Sequence, residues 1–223
     1  MEDHTKTGWP LACGSVLYLL GGLQYFVVQA AAIKKFPHYS LAHNTISDIG
    51  NTACAVFNGR YICSPYHAAM NVSFMILGFT MVLGSWLLFG GLATRNPKLR
   101  WGAALFAFGG LGAVLVGIYP ENTVPLFHGL GAAAPFLVGN AGLVLLGSSW
   151  PVKRLLRAYT LVTGGLALAA LVFYASGHDL WLGEGGIERV VAYPQTIWMA
   201  AIGLVGILAP ALLARRSGRT VSL

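Results

Sequence analysis

WPLACGSVLYLLGGLQYFVVQAAAI, residues 9–33, runs for 25 residues without a charged side chain. A helix needs roughly 20 mainly apolar residues to cross the hydrocarbon core of a bilayer. The stretch is therefore long enough to span. It exceeds the roughly 7–15 residues of a signal-peptide core, and no small-residue cleavage site follows it, so it is expected to remain as a first membrane helix. Pro10 suits a first helical turn, and Lys34, Lys35 and Pro37 end the run.

Working outward, five more runs meet the same criterion, at about 65–92, 101–118, 123–147, 158–176 and 191–214. The second opens on Ser64, a good N-cap, and Pro65, suited to the first helical position. Pro194 stands near the start of the last and Pro210 near its end. Composition agrees: 56% of the 223 residues are hydrophobic and only 9% charged, against about 25% charged in soluble domains. The expected fold is an all-α integral membrane bundle of six transmembrane helices, one domain over residues 1–223, with a short extracytoplasmic surface helix. The net charge of +7 does not argue for nucleic acid, because the charges lie between spans instead of forming one patch. The expected partners are membrane lipids.

Lys and Arg near helix ends set orientation. Lys6, Arg95, Lys98, Arg100, Lys153, Arg154, Arg157, Arg215, Arg216 and Arg219 share one side with Glu2 and Asp3. The other side carries Lys34, Lys35, Arg60 and Arg189 against Asp48, Glu121, Asp179, Glu184 and Glu188. Both termini are expected in the cytoplasm, of a prokaryotic plasma membrane, with loops 34–64, 119–122 and 177–190 facing outward.

That orientation gathers the chemistry into one loop and its neighbours. Residues 37–71 read PHYSLAHNTISDIGNTACAVFNGRYICSPYHAAMN. Cys54 and Cys63 lie in an oxidising location and are expected to form a disulfide. Free thiols, or zinc ligation with His67, are the alternatives, although the Cys spacing matches no usual zinc pattern. Cys13, inside the first span, reads as a small buried apolar residue. SLAHNTISDIGN, residues 40–51, allows one short helix in which His43 stacks on Ser47 and Asn44 on Asp48 at i,i+4. A second register caps at Asn44 or Thr45, with Asp48 at capping-box spacing and a purely local role. On the spans, His67 pairs with Asn71 at i,i+4, His128 follows Glu121 by seven, and Asn140 lies deeper.

The candidate catalytic set is His43, Ser47, Asp48, His67 and His128, and the candidate ligand-binding set is Asn44, Asn71, Glu121 and Asn140. A divalent metal, zinc, needs three protein ligands with an open position. His43, His67 and His128 are the candidates, drawn from separate elements because no HExxH or HxxxH motif is present. A Ser nucleophile served by a His–Asp pair is a further reading, without a GxSxG elbow.

At NTISDIGN and CSPYHAAMNVSF the chain resembles the bacterial and archaeal multi-pass membrane proteins grouped as domain of unknown function 998. The matching pieces are Tyr39-Ser40, Asn44 to Gly50, Cys63 to Asn71 and PENTVPLFHGLGA from Pro120. The likeness covers about residues 9 to 212 and implies a multi-pass membrane fold, with no known reaction. ISDIG also resembles the ISDxG signature of the Frag1/Dram/Sfk1 six-span family, some members of which are tied to lipid remodelling. A fainter likeness reaches the Ser/His/Asp metal-hydrolase membrane superfamily that includes alkaline ceramidases. This chain departs from it in lacking a paired HxxxH near the C-terminus and a seventh span. The expected function is handling of a lipid or lipophilic small molecule at an extracytoplasmic polar pocket, as a hydrolase or transferase. A non-catalytic structural module and a small transporter are the competing expectations.

Overall fold

The structure, a computed structural model, describes residues 8–93 and 96–213. Lys6, Arg95, Arg215, Arg216 and Arg219, and the expected end of the last span at Ala214, lie outside the described residues. Among the described residues six helices are long and apolar enough to cross a membrane. They are α1 (Gly8–Lys35), α2 (His67–Ala93), α3 (Pro97–Ile118), a fourth span in three pieces, α6 (Arg154–Ala175) and α7 (Glu184–Leu208). The pieces of the fourth span are α4 (Pro125–Ala133), a π-helical turn (Ala134–Gly139) and α5 (Asn140–Ser149).

Burial is inside-out relative to a soluble protein. Val27, Trp86, Leu126, Leu155 and Val172 are each more than 60% exposed, whereas Ser15, Asn140 and Thr160 are fully buried. Many large apolar side chains face lipid, while small and polar ones join Tyr18, Phe89, Phe106 and Trp198 between the helices, as expected where lipid offers no hydrophobic drive for helix association. Cys13, read as buried, is exposed on the lipid side of α1. The buried polar groups join helices. Tyr18 and Ser85 bond across α1 and α2 at 2.7 Å. The amide of Gln24 donates to the Ser73 carbonyl and accepts from its hydroxyl. Trp198 Nε1 donates to Thr160 Oγ1. Close approach of α2 and α3 requires glycine: a Cβ on Gly78 would stand 2.3 Å from the Gly110 carbonyl oxygen.

The π turn has a local cause. Pro135 lacks an N–H, and its ring would clash with the carbonyl four residues back. One wider turn relieves the clash. The Asn140 N–H then reaches the Pro135 carbonyl, five residues back. This frees the Phe136 carbonyl, and Asn140 Nδ2 satisfies it at 2.9 Å.

Helix starts differ from the sequence expectation where caps or glycine act. α3 begins at Pro97, not 101, because the Asn96 side chain accepts from the Lys98 and Leu99 N–H groups. α7 begins seven residues early, at Glu184, directly after Gly183 in the left-handed region (φ 75°). It ends at Leu208, ahead of Pro210. Glu188 and Arg189, read as loop charges, are therefore helical and buried.

Among the described residues the only strands are β1 (Cys54–Phe57) and β2 (Arg60–Cys63), an antiparallel hairpin. Asn58 and Gly59 form its turn, both at positive φ, the type I′ geometry that Asn-Gly favours. Cys54 pairs with Cys63 in the register and is disulfide-bonded to it. The end of the bundle that carries this hairpin is called the hairpin end below.

SLAHNTISDIGN does not form one continuous helix. A turn at 41–43 precedes a 3-10 helix, Ser47–Gly50. One local and three tertiary partners take the helix's own donors and acceptors. The Thr45 N–H goes to Asp48 Oδ2 and the Ile46 N–H to Glu188 Oε2. The Ala42 carbonyl accepts from Gly185, and the Leu41 carbonyl from Arg189. The Asn44–Asp48 pair survives at 2.9 Å, and Thr45 and Asp48 bond each other reciprocally. The capping register thus describes this segment better than the continuous helix.

Replacing both Cys54 and Cys63 by Ser removes a short covalent loop and is expected to cost about 2–3 kcal/mol. Denaturant titration in detergent checks this, and a reducing agent should produce the same loss in the parent and none in the variant.

Candidate functional site

Four connections meet at the hairpin end. Thr52 bonds Asn122, linking the first long loop to the 119–124 link. The Gly185 N–H bonds the Ala42 carbonyl, linking it to α7. Arg189, on the first turns of α7, donates to the carbonyls of Leu41, Asn44 and Gly185 and to the hydroxyls of Tyr39 and Tyr193. The Tyr193 hydroxyl in turn donates to Gln29 on α1. Arg189 therefore clamps the loop onto the bundle.

Under that clamp lie two adjoining cavities. The outer, about 330 Å³, is polar on one side, with Ser47, Arg60, Glu121, His128, Glu184 and Glu188. Its other wall is apolar, formed by Phe136 and Ala133 of the fourth span and Leu171 and Tyr174 of α6. The inner, about 60 Å³, descends between Phe74, Leu77, Met81 and Val116, with Gln195 and Thr196 among its few polar residues. Ser47, Ala132, Phe136 and Glu188 line both.

Ser47 occupies the junction and is half-buried. Its Oγ lies 2.9 Å from His128 Nε2. His128 Nδ1 lies 2.9 Å from the Tyr119 carbonyl. A carbonyl only accepts, so Nδ1 carries the ring proton, Nε2 accepts, and Ser47 donates. Ser47 is held on a rigid base. The Ile49 carbonyl accepts from Ser64 Oγ at 2.6 Å, and the Gly50 carbonyl from Asn71 Nδ2 at 2.9 Å.

Asp48 is fully buried behind Ser47. Its Oδ2 accepts from Asn44 and Thr45 and faces Arg60 Nη2 at 3.4 Å. Its Oδ1 has no hydrogen-bond partner. Glu121 adjoins Asp48 and accepts from Asn51 Nδ2 at 3.0 Å. Burial raises the Glu121 pKa to about 8; the Asn51 bond opposes the shift and the Asp48 charge adds to it. A protonated Glu121 is a donor beside a carboxylate whose Oδ1 is unpartnered. Arg60 bridges Asp48 and Glu184. Burial works against its charge, but Glu184 and Asp48 outweigh that and raise its pKa. Arg60 Nε is buried and without a partner.

The structure brings together Ser47, Asp48, Glu121 and His128 from the residues singled out in the sequence. It does not bring in the others. His43 is exposed, and His67 Nδ1 contacts the Ser64 carbonyl at its own helix start. Asn44 braces Asp48, Asn71 holds Gly50, and Asn140 repairs the π turn. None of these five lines either cavity. His43, His67 and His128 do not converge. Among the described residues no three His, Cys, Asp or Glu side chains are placed to hold a metal ion. Arg60, Glu184 and Glu188 were not on the candidate list. Asn58-Gly59 is the signal that places Arg60 at the start of a strand. The helical spacing of Ile187, Val191 and Gln195 is the signal that carries α7 back across Glu188.

Because folded Glu121 holds its proton to about pH 8 and an unfolded carboxyl releases it near pH 4.5, the folded state binds more protons between those values. Stability is then highest at the acid end and falls as pH rises through that window. Glu121→Gln is expected to flatten this slope in melting curves recorded from pH 5 to pH 9 in detergent. A variant that keeps the parent's slope would show that Glu121 does not hold the proton.

No curated protein and no solved structure matches the chain. The family model described as protein of unknown function (DUF998) matches residues 19–205. That span covers most of the chain and both cavities, and the protein belongs to this DUF998 membrane family.

Proposed function

We propose that the protein binds an amphiphilic lipid at its hairpin end, with the head group in the polar chamber and an apolar tail at the inner slot. The observation that carries this reading is that the two cavities adjoin, sharing Ser47, Ala132, Phe136 and Glu188 in their walls. Ligand pockets are mostly apolar with a few placed polar groups, and about 300 Å³ is the lower end of their range. The inner slot accepts a chain end only. The remainder of a tail fits the apolar wall between the fourth span and α6, where Ala133 and Ala175 are exposed. Those residues would meet lipid directly, so the ligand enters sideways from the bilayer.

The chamber's chemistry narrows the head group. Glu121, Glu184 and Glu188 stand against one cation, Arg60. Such a lining favours heads rich in hydrogen-bond donors, hydroxyl or ammonium, over a bare phosphate. The Lys and Arg distribution puts the hairpin end on the extracytoplasmic side, which makes the outer leaflet the source.

Ala132→Phe narrows the junction from a helix surface without touching the hydrogen-bonded loop. Native mass spectrometry of protein purified from vesicles of phosphatidylethanolamine is expected to show retained lipid on the parent. In the variant retention should drop about tenfold, a difference of ~1.4 kcal/mol, at an unchanged melting temperature. Equal retention by the two proteins would refute the site.

A further inference from the structure

We propose that Ser47 is an acyl-accepting nucleophile and His128 its general base, so that the site cleaves or transfers an ester-linked acyl group. The proposal rests on the amphiphile reading above for its substrate class and on separate geometry for its chemistry. Ser47 Oγ and His128 Nε2 are 2.9 Å apart, the reach that a nucleophile–base pair requires. The base is itself oriented by a third group. The Tyr119 carbonyl, at the C-terminal cap of α3, holds Nδ1–H at 2.9 Å. It fixes the tautomer that leaves Nε2 free to accept, the part an Asp plays in a Ser-His-Asp triad.

Two further observations separate this arrangement from a merely structural Ser–His bond. Ser47 lines both cavities at their junction, the place that the ester of an amphiphile would take with its head group in one and its tail in the other. Arg60 lines the same chamber and keeps a buried Nε donor with no partner. A donor on a cation is suited to a developing oxyanion.

The steps balance without a redox partner. Ser47 Oγ bonds to the ester carbonyl carbon as its proton passes to His128 Nε2. The carbon–oxygen bond to the alcohol breaks, and the alcohol leaves with that proton. Water, or a second alcohol, then adds to the acyl carbon and gives its proton to His128. The Ser47–acyl bond breaks, Ser47 Oγ regains the proton, and the products are a free acid or a new ester.

Two serine-directed probes test this on the full chain in detergent: diisopropyl fluorophosphate, which needs no tail site, and a dodecyl fluorophosphonate, which uses one. The parent is expected to gain one adduct per chain by intact mass, mapped to Ser47, with a labelling rate that rises with pH as His128 loses its proton. Ser47→Ala should give none. His128→Gln should label at least about 100-fold more slowly and lose the pH dependence. No adduct on folded parent with either probe, an adduct mapped elsewhere, or labelling of His128→Gln at the parent's rate would each overturn the proposal. The pH profile of the parent decides the matter even where a variant fails to fold: a flat profile sinks the base. Labelling of Ser47 by the small probe without retained lipid removes the amphiphile reading and keeps the nucleophile. Retained lipid with no labelling does the reverse.

Discussion

Lipid offers a backbone or side chain no hydrogen bond, and each unsatisfied polar group inside the hydrocarbon costs several kcal/mol. This constraint explains the whole bundle. It permits helices as the spanning elements and turns Ser15, Thr160 and Asn140 inward. It also governs Arg189, a residue only 7% exposed at the start of α7. Every donor nitrogen of that group has a partner, and three of the partners are carbonyls, those of Leu41, Asn44 and Gly185. Satisfying one charge thus fixes the path of the loop that carries Ser47 and Asp48. The site exists because Arg189 could not be left unpaired.

The same constraint decided what could be read in the sequence. Apolar length alone located all six spans, because each must cover the same thickness of hydrocarbon. Cys54–Cys63 was legible from location and number. The start of α7 was not, since Glu184, Glu188 and Arg189 look like solvated charges until their partners on the distant loop are known. SLAHNTISDIGN suffered the opposite error. Its i,i+4 spacing supports a helix, and its Asn44–Asp48 pair does form. The Thr45 and Ile46 N–H groups go instead to Asp48 and Glu188, the second 142 residues away. Of the three candidate metal-ligating histidines only His128 reaches a cavity. No local spacing distinguishes it from His43 and His67, because what recruits it is the Tyr119 carbonyl exposed where α3 ends.

Electrostatics give the chamber its character. Asp48, Glu121, Glu184 and Glu188 come from three separated stretches of chain; Arg60 compensates Asp48 and Glu184, and Arg189 faces Glu188. Like charges this close resist joint ionisation. Glu121 resolves the conflict by holding its proton, its pKa raised by burial and by the Asp48 charge. Arg60 resolves the rest, delivered by a hairpin whose Asn58-Gly59 turn and disulfide leave it little freedom. The hairpin is best understood as the device that places this cation over an acidic chamber.

A Ser–His pair stands at the meeting point of two cavities. A neutral hydrogen bond contributes about 1 kcal/mol net, and apolar packing of the same volume would serve the bundle as well. Yet the surrounding structure expends several bonds on fixing this pair. Ser64 and Asn71 hold the carbonyls of Ile49 and Gly50, Asp48 and Thr45 lock the entry to the 3-10 turn, and Tyr119 sets the imidazole. Side chains whose own supports are this well determined are the ones that keep a reactive geometry without reorganising. The bonds that satisfy these buried groups also hold Ser47 still, facing a cavity polar on one side and apolar on the other.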